Sequence, residues 1–330
     1  MNLTKKQIDD LNLELTLEIA PEDYEEAVRK KLAERRRTAE FKGFRKGMVP
    51  ASLIKRVYGE QALADAVNEV ITTSLDNYIN DNQLHLLGEP LGSEKQPELE
   101  WEDGNSFTFI FDAALSPEVK VEVEPTDTVY KYSITSSAKE KASMIENIKK
   151  YYEDQKKEPK SDEEIEKEVT ERLKEEHRQE AEWRLSKDIR DFYVNKAGLV
   201  LPEAFLKRWL LAANQGKITP EDVEKEFPGF CEDFKWQLVR GHLMQSFGFT
   251  VEHDDLYEAA KAYVTYQYAM YGIGNVPEDM VMEAVGNIMK DRRQLERLSE
   301  QVEDRKVLDK IKETITIKDK KISSEKFREL

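Results

Sequence analysis

One cysteine, Cys231, occurs in 330 residues, so no disulfide can close within the chain and no thiolate cluster can hold a metal. The four histidines, His85, His177, His242 and His253, are scattered without the paired helical spacing of a metal site. His253 stands beside Asp254 and Asp255, but Asp254 reads as the N-cap of a helix rather than a ligand. No phosphate loop ending in Gly-Lys-Ser or Gly-Lys-Thr occurs, which excludes the common nucleotide cradle. The run Gly272-Ile273-Gly274-Asn275 lacks the third glycine and the preceding strand of a dinucleotide loop, and reads as a turn. No nucleophile, base or metal constellation emerges, so no catalytic residue, metal or cofactor is expected. Apolar runs are also short. No window approaches the ~20 residues of a membrane span, and Met1 to Asp10 lacks the apolar core of a secretory signal. The expected setting is the cytoplasm.

Charge is abundant but unevenly placed. The net charge of −16 repels phosphates and argues against general nucleic-acid binding. Yet Arg29 to Arg56 holds eleven basic residues against Glu34 and Glu40, a local +9 that leaves −25 on the rest. The densest positive charge is therefore segregated into one segment.

That segment sits inside a legible series of elements. Leu11, Leu13, Leu15, Leu17 and Ile19 alternate with polar residues, the period of a strand with one buried face. Pro21-Glu22-Asp23 opens a helix to about Glu40, with Tyr24, Val28 and Leu32 on its apolar side. Gly43 and Gly47 bracket a loop closed by Pro50. Two helices are then expected, Ser52 to Tyr58 and Gln61 to Ile79. Phe107, Phe109 and Phe111 predict one strand, and Val119, Val121 and Val123 another. Beyond Tyr132 strand signals fade. Ser161-Asp162-Glu163-Glu164 is a capping box for a helix of some 35 residues, striped by Ile165, Val169, Leu173, Leu185, Ile189 and Phe192 and ended by Gly198. Pro202, Pro220, Pro228, Asp254 and Pro277 mark further helix starts. The tail from Thr316 predicts a short strand or disorder. The expected fold is an α+β N-terminal domain followed by an elongated all-α domain with long helical arms.

The loop carries the chemistry. Gly43-Phe44-Arg45-Lys46-Gly47-Met48-Val49-Pro50 offers an aromatic ring and two cations at a tip held by glycines. Arg45 can fork onto a carboxylate or phosphate, Lys46 can neutralise a phosphate, and Phe44 can fill a pocket or stack on a base. The bland alternative is a solvated basic loop with Phe44 folded back. This run, after a strand and a basic helix, resembles the Gly-Phe-Arg-x-Gly-x-x-Pro signature of bacterial trigger factors. The likeness extends through Pro117 and returns more weakly from Ile165 onward, including the Leu201-Pro202-Glu203 helix start.

The resemblance implies an ATP-independent chaperone. Gly43, Phe44, Arg45, Lys46, Gly47 and Pro50 would dock on a ribosomal protein and nearby ribosomal RNA at the exit tunnel. The helical part would hold nascent or unfolded chains. Residues 1–115 become the ribosome-binding domain, 116–160 a linker or arm, and 161–330 the substrate-binding domain. Family members usually carry a prolyl isomerase domain of about one hundred residues between the two parts. Here only Glu153 to Ser161, EDQKKEPKS, separates the preceding strand and helix from the long helix, so an isomerase-free form is expected, natural or engineered. On the helix from Asp254 to Tyr271, Tyr257, Val264, Tyr268 and Tyr271 form one stripe, while Tyr263, Tyr266 and Met270 form a second. The first should pack inward. The second is the candidate client surface, with burial between two helices as its alternative. No membrane partner is expected, and homodimerisation is left open. The rival reading is an RNA-binding or ribosome-assembly factor whose helices form a protein scaffold.

Overall fold

Leu13, Leu15, Leu17 and Ile19 lie on one face of strand β2 (Asn12–Ile19) and are almost wholly buried. Each contributes roughly 1.5–3 kcal/mol by leaving water. The computed structural model describes residues 1–154, 161–274 and 276–330. The linker-like stretch at 153–161 falls mainly on 155–160, outside the described residues, as does Asn275 of the glycine turn. The described residues form two compact units, Met1–Glu118 with Val200–Cys231, and Val119–Leu199 with Glu232–Leu330.

In the first unit, β1 (Asn2–Gln7) pairs antiparallel with β2, an edge strand that its polar sequence hides because only Leu3 turns inward. Helices α1 (Pro21–Thr38) and α2 (Ala51–Asp81) follow, then β3 (Leu91–Gly92) and β4 (Phe107–Ala114). The sheet order is β1-β2-β4-β3, with Leu15 opposite Phe111, Leu17 opposite Phe109 and Ile19 opposite Phe107. Tyr24, Val28, Ala62, Leu63, Ala66 and Val67 from the helices cover that face. The Tyr24 hydroxyl donates to the Asn105 carbonyl at 2.8 Å and accepts from Gly104 N at 3.0 Å. The two helices expected between Ser52 and Ile79 are one. Gly59 costs about 1 kcal/mol against alanine in a helix, less than is gained by burying Ile54, Leu63 and Val67 on either side.

The second unit begins with an extended segment through Val119, Val121 and Val123. These residues were expected to form a strand, yet they form no ladder. Val121 is buried and the other two pack beside it, so alternation here reflects one-sided burial without strand pairing. Strand β5 (Thr128–Thr135), helix α3 (Ala138–Asp154) and helix α4 (Asp162–Ala197) follow. In the α4 capping box, Glu164 N donates to Ser161 Oγ at 3.3 Å and Ser161 N donates back to Glu164 Oε2 at 3.0 Å. Gly198, at φ 58°, ends the helix.

The chain then returns to the first unit. Helix α5 (Glu203–Ala213) packs on β4, where Arg208 donates to Asp112 Oδ2 at 2.7 Å and to the Gly92 carbonyl at 2.9 Å. Helix α6 (Pro220–Phe247) belongs to the first unit through Cys231 and to the second from Glu232. Pro228, expected to start a helix, lies inside α6, because buried Val223 and Phe227 before it and buried Trp236 and Val239 after it hold the helix across the missing N–H.

The second unit continues with α7 (His253–Met270), α8 (Glu278–Ile288), α9 (Arg292–Thr314), β6 (Thr316–Ser323) and the short α10 (Ser324–Phe327). The N-cap of α7 is Glu252 rather than Asp254, since Asp255 accepts from Glu252 N at 2.9 Å. β6 pairs parallel with β5 along eight residues, a two-stranded ladder in a C-terminal part that is helical as expected. Val129, Leu185, Ile189, Tyr193, Val239, Leu243, Val307 and Ile311 make the main core. Beside it, Asp127 accepts from Tyr193 Oη and Lys196 Nζ, each at 2.8 Å. Burial opposes its charge, but these bonds and one from Glu124 N outweigh burial and hold the carboxyl below its usual range. Burial, then the Asp127 carboxylate, pushes the Tyr193 phenol far above its ordinary value.

Candidate functional site

The loop from Phe41 to Pro50 is two successive tight turns. Phe44 N donates to the Phe41 carbonyl at 3.0 Å, and Met48 N to the Arg45 carbonyl at 2.9 Å. The third residue of each turn is a glycine with positive φ, Gly43 at 91° and Gly47 at 80°, the conformation a type II turn demands. Behind the turns Val49 is fully buried with Ala39 and Ile54, and Arg36 Nε donates to the Val49 carbonyl at 2.8 Å. Phe41 packs edge-on against Tyr58, with Arg35 over the Tyr58 ring. Both ends of the loop are thus anchored while its tip projects.

At the tip Phe44 is 44% exposed and Met48 69% exposed. Arg45 is exposed and has no side-chain partner among the described residues. Lys46 lies 3.6 Å from Glu40, a pair between two exposed groups that adds little. Lys55 at the start of α2 meets Asp103 at 2.6 Å, and that hydrogen bond raises its ammonium above the usual range. Met48 is the tip residue that motif reading passed over. Its signal was an apolar side chain directly after the second loop glycine, Gly47.

On α7, Val264 is buried and Tyr257 and Tyr268 are partly buried against α8 and α9, packed with Ala260, Val281, Val285, Ile288 and Leu298. Tyr271, expected on the same inward stripe, is 82% exposed. It follows the last helical turn, where Gly272 at φ 76° turns the chain away and the 100° spacing stops applying. Tyr263, Tyr266 and Met270 are exposed, joined by Ile273, Met280 and Met282. From Ala262 to Met289 there is no Lys, Arg or His, and the charges are Glu278, Asp279 and Glu283. That gap in an otherwise charge-rich chain was the readable signal for the wider surface.

Residues 1–148 match the family model described as "Bacterial trigger factor protein (TF)", and residues 181–330 match "Probable trigger factor, C-terminal domain". The chain belongs to the trigger factor family. No prolyl isomerase domain model matches it. It is 33% identical over 121 residues to the trigger factor of Azospirillum brasilense, covering 36% of this chain and 26% of that protein. To the trigger factor of Francisella tularensis subsp. novicida (strain U112) it is 26% identical over 152 residues, covering 46% and 34%. These alignments span between a quarter and about a third of the relatives' length. A solved structure titled "Promiscuous Substrate Recognition in Folding and Assembly Activities of the Trigger Factor Chaperone" superposes with a TM-score of 0.52 at 13% identity, covering 94% of this chain and 99% of that one. That likeness concerns the fold alone.

Proposed function

We propose that the chain is an ATP-independent holding chaperone of the cytoplasm that docks on the ribosome and shelters unfolded segments. Family membership supports the chaperone role. Docking is supported chiefly by the double turn, which leaves the Phe44 ring in water and Arg45 without a partner. A large exposed ring beside an uncommitted guanidinium suits a surface of mixed protein and phosphate chemistry. Phe44, Arg45 and Lys46 changed together to alanine are expected to lower ribosome co-sedimentation on the order of tenfold or more. Undiminished co-sedimentation would remove the loop from the mechanism. A chaperone should also suppress aggregation of a denatured protein without ribosomes, which the RNA-scaffold reading does not require.

No isomerase activity is proposed. Between β5 and α4 the described chain holds α3 alone, far short of the roughly one hundred residues of the family's isomerase domain. A prolyl-peptide assay is expected to show the uncatalysed rate, tens of seconds or slower. Acceleration by the chain would contradict this.

Tyr263, Tyr266 and Met270 are proposed as client contacts, because aromatic and thioether groups adapt to many apolar partners. Serine at all three is expected to weaken aggregation suppression while changing stability by only about 0.5 kcal/mol per site or less. Serine at Tyr257, Val264 and Tyr268 removes buried contacts and is expected to cost about 3 kcal/mol or more. Thermal melts of the two variants, read beside an aggregation assay, test the distinction. A strongly lowered melting temperature in the first variant would identify that stripe as core.

A further inference from the structure

We propose that the groove between α7 and α8 binds proline-rich segments in the polyproline II conformation. The proposal rests on the reading of this hairpin as client surface and narrows it to a ligand class. The groove encloses about 430 Å³, and its walls carry Tyr263, Tyr268 and Tyr271 with the amides of Gln267, Asn287 and Gln294. Buried Val264 and Ile288 form its floor. No lining residue is charged, so a ligand charge buried there would find no counter-ion.

Three phenol rings around one groove match the flat faces of pyrrolidine rings, the basis on which aromatic-lined grooves take polyproline II segments. Such a segment makes no internal hydrogen bonds, so its carbonyls are all free, and its prolines carry no N–H. It therefore requires donors from its site and almost no acceptors. Gln267 Nε2 donates to the Tyr263 hydroxyl at 2.6 Å, which orients the phenol and leaves its own proton for a ligand carbonyl. Gln294 Nε2 donates to Asp291 at 3.0 Å and keeps a second amide hydrogen. The Asn287 side chain has no hydrogen-bond partner among the described residues. A segment that is already extended also loses less conformational freedom on binding than a flexible one.

The test is fluorescence anisotropy with the full chain, using a labelled, uncharged proline-rich peptide and its analogue with every proline replaced by alanine. Saturable binding about tenfold tighter for the prolyl peptide is expected. Tyr271→Ala combined with Asn287→Ala should weaken that binding about tenfold while the melting temperature stays unchanged, because both side chains are exposed. Equal affinity for the two peptides, or a variant that binds as well as the parent, overturns the proposal. Suppression of aggregation of a proline-free client is measured in parallel. Suppression without peptide preference removes this inference and leaves the client reading standing, whereas loss of both removes both.

Discussion

Asp304→Ala is expected to destabilise the second unit by about 3 kcal/mol, the largest single-site effect in its polar interior. Asp304 on α9 accepts from Arg190 of α4 at 2.6 Å, from Trp236 Nε1 of α6 at 2.8 Å and from Arg240 of α6 at 3.3 Å. One carboxylate thus satisfies groups from two other helices beside the main core. Trp236 is 5% exposed and Arg240 9% exposed, so removing their acceptor leaves an indole N–H and a guanidinium poorly solvated. Breaking a buried pair by deleting one partner costs roughly 3–5 kcal/mol. The lower end applies because Arg190 is 39% exposed and Arg240 also lies 3.1 Å from Glu303. For a unit of this size the melting temperature should fall by roughly 2–4 °C per kcal/mol. Asp304→Asn, which keeps one acceptor oxygen, should lose about half as much. An unchanged melting temperature for the alanine variant would show that the apolar packing of α4, α6 and α9 suffices alone.

Gly88→Ala is expected to loosen α5 from the first unit, at a cost of about 2–5 kcal/mol. Gly88 has φ 80°, and a Cβ there would lie 2.4 Å from Trp209 Nε1 and 2.7 Å from its Cε2. The backbone conformation alone disfavours an L side chain by roughly 1–2 kcal/mol, and displacing a packed ring adds about 1–3 kcal/mol. The second contribution should vanish when the indole is absent. In a double-mutant cycle, Gly88→Ala is therefore expected to cost less by at least about 1 kcal/mol in a Trp209→Ala background. Chemical denaturation of the four proteins checks it. Full additivity would mean that the ring yields freely and that strain at Gly88 is the whole effect.

Gly88 also shows where sequence reading stopped. Nothing adjacent to it reveals that Trp209, more than one hundred positions later, lies against it. The helical pattern from Pro202 onward assigns α5 to the C-terminal part, yet it packs on β4 through Arg208 and Asp112. The same holds for β6, whose Lys318, Lys320 and Lys321 read as a charged tail. Its partner β5 lies almost two hundred residues earlier, so only the pairing of Thr128 with Thr316 makes it a strand. Val119 to Val123 fail in the opposite sense, alternating like a strand without finding one to join.

Local interactions were legible because they need only neighbours in the chain. The alternation of Leu13 to Ile19, the Ser161 capping box, the Gly198 stop and the paired glycines of the Gly43 to Pro50 loop each act within a few residues, and composition alone ruled out disulfides and thiolate clusters. The exposure of Phe44, Arg45, Tyr263, Tyr266 and Met270 was decided by tertiary structure, as were the outward position of Tyr271, the union of α5 with the first unit, and the β5–β6 ladder. Each depends on which distant side chains meet. Burial and pairing energies are set by those long-range contacts, whereas the period of a local pattern records only that some face must be covered.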